Sequence, residues 1–234
     1  MKKTFYSMAA VLIISAISCS KNNGPTNDTG ISLSFKGTTT FQVIKKSAGI
    51  EGFIFTEALM GIKEIEIKKE DEEFNDGDMR YDFEGNYLVD LLTGTTTPVL
   101  GFTEFISGTY NKFESKTAQL LDGGKSLSLK GTYTDNAGTP YTFEFSTPSE
   151  IEFEFESDSG FVLTEGTVLD MLVNVNLPML FEGIDFSKAT ADENGIIVIN
   201  DLSNFSMSEI IKSNIDHAAE MEDEHESEHE SEKD

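Results

Sequence analysis

Two histidines repeat near the end of the chain. Glu224-His225-Glu226-Ser227 is followed at once by Glu228-His229-Glu230-Ser231. On a helix, positions four apart share a face, so the two imidazoles could grip one transition-metal ion. Glu224, Glu228 and the third histidine, His217, could complete the shell. Imidazole with carboxylate suits Zn, Cu or Ni. Such a site is open and weak, because nothing pre-orders it. The competing reading is a solvated acidic tail in which histidine merely occurs, since a histidine-rich tract is compositional evidence alone.

Hard cations have a second candidate. Residues 70–78, Glu-Asp-Glu-Glu-Phe-Asn-Asp-Gly-Asp, concentrate oxygen donors, with Asp71, Glu73, Asp76 and Asp78 as calcium ligands. The spacing departs from an EF-hand, because the sixth position counted from Asp71 is Asp76 rather than glycine. A similar run, 190–195, holds Asp192 and Asn194-Gly195 but opens on threonine, and its Asn-Gly pair already reads as a turn.

Hydrolytic chemistry finds little to stand on. A Ser-His-Asp arrangement needs a histidine in a folded pocket, and all three histidines lie at the C-terminal end. No G-x-S-x-G elbow or glycine-rich phosphate loop is present. A carboxylate pair for glycoside hydrolysis cannot be picked from 42 acidic residues, and the absence of tryptophan speaks against sugar stacking. No catalysis is expected.

The single cysteine, Cys19, has a more definite setting. Lys2 and Lys3 precede an apolar run from Met8 to Ser18 that is too short to span a bilayer. A charged start, a short apolar stretch and small residues at the end make a secretory signal peptide. Ala16-Ile17-Ser18-Cys19 resembles the lipobox of bacterial lipoproteins, although the usual leucine is Ala16 here. That resemblance implies cleavage before Cys19 and its lipidation. The thiol is then lost to both disulfide and nucleophilic roles, and the fold must hold by packing alone. Plain secretion with a chance cysteine is the alternative.

The formal charge is −25, which argues against nucleic acid and against electrostatic attachment to anionic lipid. Acidity that keeps an envelope protein soluble is the simplest reading. With 38% hydrophobic residues and 18 phenylalanines, a sizeable core can form.

The positioning elements read mostly as strands. Alternation of apolar and polar residues marks 65–68, 127–130, 151–156 and 173–177, and in 151–156 one face is apolar and the other acidic. Turn formers separate them at 75–77, 122–124, 136–138 and 194–195. The stretches 59–62 and 117–121 could instead be helical turns. Near the end, Ser206 with Glu209 forms a capping box before a stripe of Ile210, Ile211, Ile215, Ala218 and Ala219. From Asp216 onward ten acidic residues face Lys233 alone, which predicts a self-repelling tail, disordered or helical only in part. Phe102, Phe105, Tyr110 and Phe113 could line a groove, but aromatics in alternating strands more often form core.

The expected organisation is a signal peptide (1–18), a flexible tether (19–30), a β-sandwich (31–205), a helix (206–221) and an acidic, histidine-bearing tail (222–234). The fold class is all-β, an antiparallel sandwich with one C-terminal helix.

Asp90-Leu91-Leu92-Thr93-Gly94, Gly108-Thr109-Tyr110-Asn111 and Phe181-Glu182-Gly183-Ile184-Asp185-Phe186 resemble motifs of small all-β envelope lipoproteins of Bacteroidota-type bacteria. These are domains of unknown function, and the resemblance covers most of residues 31–215. It implies an outer-membrane β-sandwich and carries over no catalytic residues. Ser20-Lys21-Asn22-Asn23 lacks the acidic residues of surface-exported relatives, which favours the periplasmic leaflet over the cell surface. The expected function is a lipid-anchored binding or accessory protein, with weak metal capture by the tail. The alternatives are a structural or adhesive module for protein or glycan and, behind it, a glycan hydrolase.

Overall fold

The computed structural model describes residues 28–39, 52–69 and 79–223. The chain is all-β with one α-helix among the described residues. Its strands are β1 (Gly30–Thr38), β2 (Phe53–Lys69), β3 (Met79–Asp90), β4 (Thr95–Thr97), β5 (Gly101–Glu104) and β6 (Gly108–Thr117). They continue as β7 (Leu127–Thr134), β8 (Pro140–Thr147), β9 (Glu152–Leu163), β10 (Val168–Asn176) and β11 (Ile196–Ile199). Helix α1 (Phe205–Ala218) runs straight into β12 (Ala219–Asp223). Two short 3-10 turns, Pro178–Phe181 and Phe186–Lys188, lie between β10 and β11.

The smaller sheet has the order β12-β10-β1-β5. The larger one is organised around β2, whose 17 residues are long enough to serve two partners in line. β6 pairs with the second half of β2, from Ile62 to Lys68, and β7 with the first half, from Phe53 to Met60. β9 flanks β6 and β8 flanks β7 in the same way. The sheet therefore changes partners twice at its middle, and the excursions 118–126 and 148–151 leave it there.

Buried polar residues close that break. Thr117 Oγ1 accepts from Ile151 N at 2.8 Å, and Ser126 Oγ donates to Thr147 O at 3.0 Å and to Ser149 O at 2.5 Å. Thr117, Ser126 and Thr147 are fully buried. A buried hydroxyl without a partner costs about 1–3 kcal/mol, so these bonds fix where each strand stops.

One hydrophobic core lies between the sheets. Ile31, Leu33 and Phe35 of β1 and Leu169, Met171, Val173 and Val175 of β10 bury alternate positions, as a period of two requires. Ile65 and Ile67 of β2 and Phe113 of β6 supply the other wall, and the rings of Phe35 and Phe113 lie 6.4 Å apart. Phe105, Tyr110 and Phe113 are core residues and form no groove; Phe102 stays 44% exposed.

The strands expected from alternation are present, and several finer expectations are corrected. The sheets are mixed: β1–β10 and β8–β11 pair in parallel, whereas the other pairings between named strands are antiparallel. Residues 59–62 belong to β2 and form no helical turn, because Gly61 sits at the partner change. Residues 118–121 form the connection out of β6, closed by a Leu121–Lys125 bridge. Asp122-Gly123-Gly124 is the turn within that connection, whereas Asn136-Ala137-Gly138 is a true hairpin between β7 and β8.

The capping box does not form. The helix starts at Phe205, behind Asn204 in the left-handed conformation. The Asn204 amide instead donates to Thr190 O and Val198 O, fastening the loop before the helix. Glu209 turns to Lys212. The helix stops at Ala218 rather than 221, and Ala219–Asp223 add a strand to β10. The free edge of β10 offers a full ladder of backbone partners, which outweighs the mutual repulsion of three acidic residues. Signal peptide, Cys19 and the end of the tail lie outside the described residues.

Candidate functional site

Of the expected metal ligands, His217 alone is described. It is exposed in the last turn of α1. Strand β12 then carries the chain away at about 3.3 Å per residue, some 13 Å from Ala219 to Asp223. Joining His217 to His225 or His229 in one centre therefore requires a reversal beyond Asp223. His225, His229, Glu224, Glu228 and the calcium candidates Asp71, Glu73, Asp76 and Asp78 lie outside the described residues. Among the described residues no group of three or more His, Cys, Asp or Glu side chains is placed to hold a metal. In the second loop Asp192 accepts from the amides of Asn194 (2.9 Å) and Ile196 (2.8 Å), while Asp201 binds Lys212. Its oxygens serve the turn itself.

Charge concentrates on the outer face of β2, β6 and β9. Period-two alternation turns Glu152, Glu154 and Glu156 outward while Phe153 faces the core. Their partners are Lys112 and Lys116, placed on β6 by the same alternation. Lys112 Nζ lies 2.8 Å from Glu114, 2.7 Å from Glu154 and 3.1 Å from Glu156. Glu114 also binds Lys68 at 2.5 Å, and Lys68 reaches Glu66 at 3.3 Å. A second row runs Glu150–Lys63–Glu64–Lys116–Glu152. Between β2 and β6 directly opposed residues are alike in charge, as with Glu66 and Glu114 or Lys68 and Lys112, so Lys68 reaches Glu114 diagonally, whereas between β6 and β9 Lys112 and Lys116 directly oppose Glu156 and Glu152. The bulge between Lys63 and Ile65 gives Glu64 a φ of 49° and sets it between two lysines.

The two lysines beside Glu114, Lys112 first and then Lys68, hold its carboxyl down to about 2, while the hydrogen bond that Lys112 donates to Glu114 raises the lysine. The sign follows directly. A lowered carboxyl stabilises the fold above the unfolded value of 4.5 and loses that contribution as pH falls toward 2. With the Glu114 side chain 16% exposed, screening leaves about 2 kcal/mol of this effect. Urea unfolding should therefore show stability falling between pH 5 and pH 2, with a shallower fall in Glu114→Gln. Parallel slopes for the two proteins would refute the assignment.

One cleft adjoins this lattice. About 320 Å³ in volume, it lies between β9 and the α1–β12 corner and is lined by Glu152, Phe153, Glu154, Phe155, Asp216 and Ala219. Among the described residues β9 pairs only with β6, so its other edge borders the cleft. The site thus offers an acidic rim and an aromatic wall beside a strand edge that no second described strand pairs with.

Sequence reasoning found the acidic face of β9 but missed its lysines and Asp216. The spacing Lys112-x-Glu114-x-Lys116 carries a usable signal, alternating charge at strand period. Nothing local announces that Asp216 comes to face β9. The chain matches no known protein family, no curated protein and no solved structure.

Proposed function

We propose that this protein is a lipid-anchored, non-catalytic binding or accessory component of a bacterial cell envelope. The observation that carries the reading is Cys19, the only cysteine, standing directly behind a charged and apolar leader. The fold is compatible with an anchored role. The chain enters the domain on β1, which is paired on both sides by β10 and β5, so a tether pulls on an interior strand. Weak divalent-metal capture by His225 and His229 with Glu224 and Glu228 belongs to the same reading and rests on the sequence.

A structural or adhesive role is the second reading, favoured by the free edge of β9 beside the cleft. An extended protein segment could add a strand there, and Glu152, Glu154 and Asp216 would select a basic one. Cell fractionation tests the first reading. The full chain expressed with its leader should follow the membrane fraction and incorporate labelled fatty acid. Cys19→Ser should lose the label and reduce membrane recovery at least tenfold. Equal recovery and labelling of both forms would sink the anchor.

A further inference from the structure

The end of the domain where the chain enters is built from a few tightly joined segments. Thr29 O accepts from Phe105 N at 3.0 Å, Thr29 Oγ1 accepts from Gly166 N at 2.7 Å, and Gly30 N donates to Thr167 O at 3.2 Å. The start of β1, the end of β5, the 164–167 turn and the junction of β6 with β9 therefore share one pole. Three large apolar side chains are exposed there: Phe102 (44%), Ile106 (58%) and Val162 (62%). The Phe102 ring lies over Gly30, so close that a side chain at that glycine would meet ring carbons within 2.5 Å. Ile106 follows Phe105 directly and is held by Tyr110, whose hydroxyl donates to Ile106 O at 2.5 Å. Val162 faces Thr109 at the start of β6.

What lies beyond this pole is fixed by chain length. Nine residue steps separate Cys19 from Asp28, at most about 30 Å in any conformation. The pole is thus the part of the described domain that the tether joins directly. We propose that this pole, with Phe102, Ile106 and Val162, seats on the zwitterionic lipid surface to which Cys19 is tied. The proposal rests on the anchor reading and adds an orientation to it. Lys69 reaches Gly108 at the same pole, but Glu104 and Glu165 are exposed there and outnumber it, which disfavours an anionic surface, so a zwitterionic lipid is the matching partner. Seating leaves the cleft beside β9 and the α1–β12 corner open to ligand.

The chain contains no tryptophan, which makes the test clean. Processed, lipidated full chains carrying Phe102→Trp, Val162→Trp or Leu202→Trp are reconstituted in phosphatidylcholine vesicles with brominated acyl chains. Leu202 is 95% exposed at the β11–α1 corner, beside the β8 half of the larger sheet, and serves as the remote control. Tryptophan at Phe102 and at Val162 should be quenched at least twofold more than at Leu202. Flotation with the vesicles is read first. Failure to float overturns the anchor and the seating together. Flotation with equal quenching at all three positions overturns the seating alone. So does a blue shift at Phe102→Trp without bromine quenching, since that marks a protein surface covering the pole.

Discussion

Gly61→Ala is expected to destabilise the protein by about 3 kcal/mol, the upper range for forcing atoms into a packed interior. For a domain of this size that corresponds to a melting temperature lower by about 6–12 °C. Gly61 sits where β2 exchanges β6 for β7. Its N–H donates to Ser126 O and its carbonyl accepts from Ala118 N, both at 2.9 Å. An alanine Cβ would come within 2.5 Å of Ala118 O and 2.9 Å of Leu120 Cβ. The first contact is with backbone, so no rotamer change relieves it. Either β6 retreats and breaks the bond to Gly61, or the 118–126 connection lifts and strains the buried bonds of Ser126. A comparison with Gly138→Ala separates this effect from loss of a left-handed glycine. Gly138 has a φ of +83° but open space around it, so alanine there meets only the conformational penalty, about 1–2 kcal/mol. Thermal unfolding in which Gly61→Ala is no worse than Gly138→Ala would show that the sheet does not close tightly at this point.

The same glycine shows what local reading can and cannot reach. Alternation identified β9 because a strand facing a core on one side must repeat every two residues, and Phe153 and Glu154 obey that rule. Gly61 interrupts an apolar run, which locally resembles a turn. Its real cause is a backbone that arrives from residues 118 and 126, far along the chain. The parallel pairing of β1 with β10 is equally remote, since alternation specifies a face but no neighbour. Helix start and tail failed for a related reason. Ser206 and Glu209 carry the letters of a cap, yet Asn204 is pinned by Thr190 and Val198 and puts the cap two residues earlier. Ala219-Glu220-Met221-Glu222 does alternate, but net charge dominates its appearance. It becomes a strand because β10 presents an edge, and Asn174 donates to both Glu220 and Glu222 at 3.1 Å. In the cleft, the β9 residues were legible as an acidic face and Asp216 was not, because a helix end reaches β9 only once α1 and β12 have docked.

Phe143→Ala should be the most damaging single truncation on the β8 side, costing about 3–5 kcal/mol as a large aromatic lost from a closed core. Phe143 is fully buried. Its ring lies 4.8 Å from Phe181, 5.8 Å from Phe186 and 5.9 Å from both Phe53 and Phe55. Phe181 and Phe186 come from the two 3-10 turns after β10, so Phe143 fastens that connection to β2 and β8. Gly131 stands opposite Phe143 on β7 and must stay small, because its Cβ would meet Ile54 O at 2.3 Å. No neighbouring side chain on that strand can therefore refill the space. Phe143→Leu keeps much of the volume and should cost under half as much. Hydrogen exchange would locate the damage. Protection should fall first at Phe181 and across Phe186–Lys188, then along β8 and β11, while the β6–β9 half with its lysine–glutamate rows keeps its order longer. Uniform loss of protection across both halves would mean that the break at Thr117, Ser126 and Thr147 couples them rigidly. A loss of less than about 1 kcal/mol would mean that the other rings hold the connection without Phe143.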